Sequence, residues 1–116
     1  MSGTIDKSVM AQKIIQQHEA MLKRPAMYFG ADDDLELVRS FFAGYHAAAF
    51  AFFDIGEEFS IAEFYREAVT SRGWELRATS VAMEMKERGI PNKAIVLELI
   101  NVELDAWRRF FAANQT

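Results

Sequence analysis

Residues 23–30 have the sequence KRPAMYFG and separate the first two helices that this chain is expected to form. Proline disfavours helical geometry in the residue that precedes it, so the first helix should end near Lys23. Gly30 permits a tight turn, because glycine tolerates backbone conformations that other residues avoid. Met27 and Tyr28 are expected to fill the seam between the two helices. The segment therefore predicts a structural connection between helices rather than a ligand site.

Apolar residues on both sides of this connection recur at intervals of three and four, which is the period of amphipathic helices. Five helical segments are predicted, at residues 4–22, 33–53, 61–71, 74–88 and 92–112. The fourth segment leaves a second interpretation open, because Val81–Met85 also alternates as a short strand would. A chain of 116 residues has the length of one domain. We therefore expect residues 1–116 to form a single all-α domain, a compact bundle of four to five helices.

Three of these helices carry patterns that predict how they pack. The first should bury one face that includes Val9 and His18. The second has a stripe of small residues that should let a neighbouring helix approach closely. This stripe consists of Gly44, Ala47, Ala48 and Ala51. The last helix is apolar over more than one narrow face, so it is either central in the bundle or partly buried against another chain.

The composition favours a soluble protein with a sizeable core. Hydrophobic residues make up 51% of the chain, which is enough for a packed interior, and there is no cysteine to form disulfides or thiolate metal sites. The most apolar stretch, residues 41–53, is shorter than the roughly 20 residues that cross a bilayer. The first residues also lack the pattern of a secretory signal. We expect a cytoplasmic protein that does not bind membranes.

Negative charge is concentrated in the first half of the sequence. Residues 1–58 contain five Lys and Arg against nine Asp and Glu, a balance of −4, whereas residues 59–116 contain eight of each. Nucleic-acid binding normally depends on Lys and Arg that neutralise phosphates, so nucleic acid is not an expected partner. Carboxylates presented together instead predict a surface for a basic protein partner. The candidate residues are Asp32, Asp33, Asp34, Glu36, Asp54, Glu57 and Glu58.

The side chains that could serve as metal ligands or nucleophiles do not form a recognisable active-site motif in the sequence. His18 and His46 fall on different predicted helices and lack the His or Glu partner, at helical spacing, that a zinc or di-iron site would need. No serine lies in a glycine-flanked elbow, and the six glycines are isolated rather than grouped in a phosphate-binding loop. We therefore predict no catalytic, cofactor-binding or metal-binding residue, and no enzymatic activity.

The segment RPAMYFG and the later FFAGY resemble motifs of known proteins. The first is similar to the Arg-Pro-Gly-Met-Tyr-Ile-Gly segment of type II topoisomerase ATPase domains, but the Asp-x-Gly-x-Gly motif and the glycine-rich lid of that family are absent. ATP binding is therefore not expected. Both segments together resemble a group of small bacterial helical proteins with an Arg-Pro-x-Met-Tyr-x-Gly turn and a Phe-x-x-Gly-Tyr helix. Ala26 replaces the glycine that is common in that turn. The resemblance implies an immunity partner of a secreted toxin.

Three functions remain open at this point. The first is a non-enzymatic interaction module, most concretely an immunity-type inhibitor that binds a basic toxin or effector through the acidic face. The second is a self-associating structural or regulatory protein, a homodimer to which the last helix contributes. The third is a small-molecule-binding helical bundle, which would need a sizeable cavity.

Overall fold

The computed structural model describes residues 7–52, 61–75 and 80–113, and all statements below concern these residues. They form six α-helices: α1 (Lys7–Lys23), α2 (Pro25–Phe29), α3 (Leu35–Phe52), α4 (Ile61–Ser71), α5 (Val81–Glu87) and α6 (Asn92–Ala113). The all-α prediction is confirmed, but the described part of the chain contains six helices rather than four to five. The additional helix is α2, which lies where a connector was predicted. None of the described helices is both long and apolar enough to cross a membrane.

Helix α6 lies at the centre of the bundle and contacts α1, α3, α4 and α5. Two adjoining hydrophobic clusters meet on it. Val102 and Trp107 pack with residues of α1, α4 and α5, whereas Val96 and Ile100 pack with residues of α1, α2 and α3. A helix that is apolar on most sides is typical of a buried position. The sequence left open whether α6 is central or partly buried against another chain. Its central position accounts for its broad apolar surface without a second chain.

The connection between α1 and α3 is built around Phe29 and not around the residues predicted to fill it. Pro25 occupies the first turn of α2, where its missing N–H removes no helical hydrogen bond. Gly30 ends the helix in the left-handed conformation, with φ of 83°, and donates its N–H to the Ala26 carbonyl. Met27 and Tyr28 are exposed at 73% and 37%, so the prediction that they plug the helix seam is wrong. The short helix rotates them outward and turns Phe29 into the core.

Helix α3 begins at Leu35, two residues after the predicted start at residue 33, and presents a different face to the core. Oδ1 of Asp34 accepts hydrogen bonds from the backbone N–H groups of Glu36 at 3.1 Å and Leu37 at 3.2 Å, so Asp34 caps the helix. The small-residue stripe is not a contact surface for a neighbouring helix in the described structure: Gly44, Ala47 and Ala48 are exposed. A Cβ added at Gly44 would meet no atom within 4 Å. The side chain of Ala51 lies outside the described residues.

The large aromatic residues of α3 explain this orientation. Phe42 is buried in the cluster that contains Phe29, and Tyr45 packs against both clusters. Burying these rings removes far more apolar surface from water than burying alanines would, so the rings take the inner face. The prediction that Val9 lies on the buried face of α1 is wrong. Val9 is 42% exposed, and the larger neighbouring Met10 is buried instead.

Val81–Met85, for which a helix and a strand were both open, is helical in the structure. Helix α5 spans Val81–Glu87, and the Oγ of Ser80 caps it by accepting a hydrogen bond from the N–H of Met83 at 3.3 Å. The predicted start at residue 74 is wrong, because Trp74 is not helical. Its indole Nε1–H donates to Glu98 on α6 at 3.3 Å. This bond ties the segment after α4 to the central helix.

Candidate functional site: an open cleft beside the acidic start of α3

The predicted acidic surface is present in part at the start of α3. Asp33, Asp34 and Glu36 are exposed and form no ion pair with another described residue. Asp32 is half-buried, and its Oδ2 lies 3.5 Å from Nζ of Lys93 at the beginning of α6. The structure therefore brings these four carboxylates together at one end of α3. The other three predicted residues, Asp54, Glu57 and Glu58, lie outside the described residues.

A cleft of about 740 Å³ opens next to this surface, between α3, α5 and α6. Leu35, Val38, Phe42 and Leu99 contribute apolar surface to it, and Asp33, Asp34 and Glu36 also line it. Its charged lining comprises four carboxylates, counting Glu103, against Arg39 and Lys86, a balance of −2 when His46 is left out of the count. The cleft is within the size range of small-molecule sites. It joins the acidic surface to the interior of the bundle.

A histidine–carboxylate pair lies in this cleft. Nε2 of His46 on α3 is 2.8 Å from Oε2 of Glu103 on α6. Glu103 is only 4% exposed, although it lines the cleft. A buried carboxylate is costly unless it is paired or hydrogen-bonded, so His46 stabilises it directly.

Tyr65 of α4 lines the same cleft, where burial and the Glu103 carboxylate both contribute to the shift of its pKa. Burial, together with the negative charge of Glu103, raises the pKa of Tyr65 to about 12. Burial and Glu103 also raise the pKa of Tyr45 to about 12, and its hydroxyl donates to Oε1 of Gln17 at 2.6 Å. Both phenols are therefore neutral hydrogen-bonding groups at physiological pH.

His18 occupies the aromatic interior, in agreement with the prediction that it lies on the buried face of the first helix. It is fully buried, and its ring lies 5.8 Å from that of Phe42, stacked, and 5.0 Å from that of Tyr45, edge-on. Its Nδ1 lies 2.7 Å from the Ile14 carbonyl oxygen, so this nitrogen carries a proton and donates it. Burial lowers the pKa of His18, although the bond to Ile14 and the charge of Glu103 oppose the effect. The imidazole is consequently held in its neutral form.

Within the described part of the chain, two buried nitrogens in this interior lack a hydrogen-bond partner. They are Nε2 of His18 and Nε1 of Trp107, on rings whose centroids are 6.3 Å apart. In the neutral histidine Nε2 is an acceptor, whereas the indole N–H is a donor. Each unsatisfied group costs about 1–3 kcal/mol. The aromatic packing around both rings offsets this cost.

Sequence reasoning missed the pair formed by His46 and Glu103. The two residues are 57 positions apart and belong to helices with no motif in common. The available signal was the position of Glu103 between Val102 and Leu104 in an apolar helix, because a carboxylate inside such a helix needs a partner. That signal does not identify the partner, which depends on how α3 and α6 pack.

The chemistry available to the cleft follows from this arrangement. A histidine held by a carboxylate can position a general base. Among the described residues, however, His46 hydrogen-bonds to Glu103 and to no serine or threonine. His, Asp and Glu side chains in residues 7–52, 61–75 and 80–113 form no group of three that could hold a metal ion. The lining is instead suited to recognition of a positively charged group.

Comparisons with protein-family models, curated proteins and solved structures find no match to this chain.

Proposed function

We propose that this protein is a non-enzymatic interaction module that binds a basic protein through the acidic start of α3. The most specific form of this proposal is an immunity-type inhibitor that neutralises a basic toxin or effector. The resemblance of residues 24–30 and 41–45 to small bacterial helical proteins implies this form. The observation that carries the proposal is the exposure of Asp33, Asp34 and Glu36 at the opening of the cleft, without ion pairs to described residues.

Electrostatics support a basic partner. Exposed carboxylates of one sign accelerate the encounter with a positive surface and disfavour acidic competitors. Carboxylates already engaged in internal ion pairs would contribute less, and Asp32 is the only one of the four in a described ion pair, with Lys93. The neighbouring cleft adds concave apolar surface, which a flat acidic patch lacks.

The test compares charge reversal on and away from this surface. Asp33→Lys and Glu36→Lys would be combined, while Asp34 is retained because it caps α3. The matched control reverses Glu63 and Glu87, which are exposed on α4 and α5. Partners would be captured from lysate of the source cells, purified, and titrated against all three proteins at several salt concentrations.

We expect the wild type and the control to bind a basic partner with an affinity that falls as salt rises. The Asp33/Glu36 variant should bind at least about tenfold more weakly, a loss of about 1.4 kcal/mol, and with a smaller salt dependence. Equal affinity of the two variants, or a partner that is not basic, would contradict the proposal. Inhibition of the partner's activity would test the immunity form separately.

A second candidate is small-molecule binding, and the 740 Å³ cleft specifically favours it. The open cleft lies beside the packed core and holds both apolar and hydrogen-bonding groups. Screening small molecules by the thermal shift of the protein would test this function. Self-association stays a prediction. The central position of α6 accounts for the apolar width that motivated it.

A further inference from the structure

Glu103 has an unused hydrogen-bonding atom in a setting where such atoms are rare. The residue is 4% exposed and lines the cleft. Its Oε2 is engaged with His46 at 2.8 Å, whereas Oε1 accepts no hydrogen bond from a described residue. Buried carboxylates normally have most of their acceptor capacity filled. Glu103 therefore keeps a poorly solvated acceptor, Oε1, in a residue that lines a site a ligand can enter.

The surroundings of Glu103 favour a cation. In a poorly solvated site a carboxylate attracts a positive charge more strongly than it would in water. Tyr65 lines the same cleft, and its hydroxyl makes no hydrogen bond with a described residue, so its oxygen is also able to accept. Asp33, Asp34 and Glu36 add negative charge around the opening, exceeding the contribution of the two cations in the lining.

The shape of the lining favours an ammonium on an apolar stem. Val38, Phe42 and Leu99 provide apolar wall, along which a methylene chain can pack. Because Oε2 is occupied by His46, Glu103 offers one free oxygen. A guanidinium binds a carboxylate best through two parallel hydrogen bonds, whereas an ammonium acts as a compact point charge. One free oxygen thus suits a lysine better than an arginine.

We propose that the cleft receives a lysine side chain of the partner protein, with its ammonium donating to Oε1 of Glu103 and its methylene stem lying along Val38, Phe42 and Leu99. The identity of the lysine as a partner residue rests on the proposed function. The ammonium site itself rests on Glu103 and the cleft, and is tested without a partner.

The probe for the ammonium site is n-butylammonium chloride, followed by NMR chemical shifts of the backbone amides. Binding with a Kd on the order of 1 mM or weaker is expected for so small a ligand. The perturbed amides should belong to α3, α5 and α6 around the cleft. Butanol, which has the same stem without the charge, should perturb them much less, and n-butylguanidinium should bind more weakly than n-butylammonium.

Two variants and one control make the test specific. Glu103→Gln keeps the shape of the side chain, retains an acceptor for His46 and removes the charge, so the Kd for butylammonium should rise at least about tenfold. Ala43→Trp places a bulky ring at an exposed position of the lining and should block entry without disturbing the core. Glu63→Gln, on the exposed surface of α4, should bind as the wild type does. Equal shifts with butanol, or wild-type affinity in both cleft variants, would overturn the ammonium site.

Measurements with a captured basic partner separate this inference from the proposed function. Weaker partner binding by Glu103→Gln, together with Glu103-dependent butylammonium binding, supports both. Partner binding that is unchanged by Glu103→Gln overturns the lysine and leaves the proposed function standing. Glu103-dependent butylammonium binding without any basic partner supports the ammonium site but counts against the partner lysine and against the proposed function.

Discussion

Replacement of Phe29 by alanine should lower the free energy of unfolding by about 3–5 kcal/mol, the usual cost of truncating a buried aromatic residue. Phe29 is 5% exposed, and its ring lies edge-on to that of Phe41 with centroids 4.9 Å apart. The ring of Phe42 is 5.8 Å away. Loss of these contacts contributes part of the cost, since each aromatic pair adds about 0.5–1.5 kcal/mol beyond burial. The remainder comes from the lost burial of the ring and from the cavity left between α2 and α3.

Urea denaturation followed by circular dichroism would measure the effect, with Met27→Ala as the matched control. Met27 lies two residues away on the same short helix but is 73% exposed, so its truncation should change stability by no more than about 0.5 kcal/mol. The melting temperature of Phe29→Ala should fall by about 12–20 °C, given about 4 °C per kcal/mol for a domain of this size. If Met27→Ala were as destabilising as Phe29→Ala, the orientation of α2 with Phe29 inward and Met27 outward would be refuted.

Three further predictions concern α3 and the interior. Asp34→Ala should cost about 1 kcal/mol of unfolding free energy by removing the cap, whereas Asp33→Ala should be nearly neutral; denaturant titration distinguishes them. Gly44→Ala should stabilise the protein by about 0.5–1 kcal/mol, because a Cβ there meets nothing within 4 Å and alanine favours the helix. Gly30→Ala should destabilise the protein, because Gly30 has a φ of +83° that alanine rarely adopts. If the stripe at Gly44 were closely packed, Gly44→Ala would instead lower the free energy of unfolding. The folded state holds the pKa of His18 below its value of 6.5 in the unfolded chain, so unfolding binds a proton. The free energy of unfolding should therefore fall as the pH drops below about 6.5, by up to about 1.4 kcal/mol per pH unit, until the pH reaches the pKa of the folded state. His18→Asn does not titrate, and unfolding free energies measured between pH 7 and 5 should show a shallower slope for it; an identical slope in both proteins would refute the assignment.

Local features of the chain were predictable because they depend on neighbouring residues. The end of α1 before Pro25 and the turn at Gly30 follow from the backbone geometry of proline and glycine. The helical period of the apolar residues likewise predicted the all-α class and the bounds of α4 and α6 to within one residue. The acidic surface was predicted as a set of residues, and four of its seven members are together in the described structure.

The outward and inward faces of α2 and α3 were not predictable in the same way. Both Met27 and Phe29 are suitable core residues, and both the alanines and the phenylalanines of α3 lie at helical spacing. Which set is buried depends on how much apolar surface the neighbouring helices can cover, and the larger rings prevail. The stripe of Gly44, Ala47 and Ala48 was therefore assigned to the wrong side.

The helical class, the main helix boundaries and the charge asymmetry follow from the sequence alone, because they are properties of nearest neighbours and of composition. The pairing of His46 with Glu103, and the cleft that opens beside Asp33 and Glu36, arise instead from the tertiary packing. The contact joins residues 57 positions apart, and its existence depends on the rotation of α3 against the central α6. That rotation is fixed by the combined packing of all the helices, which no local pattern in the chain records.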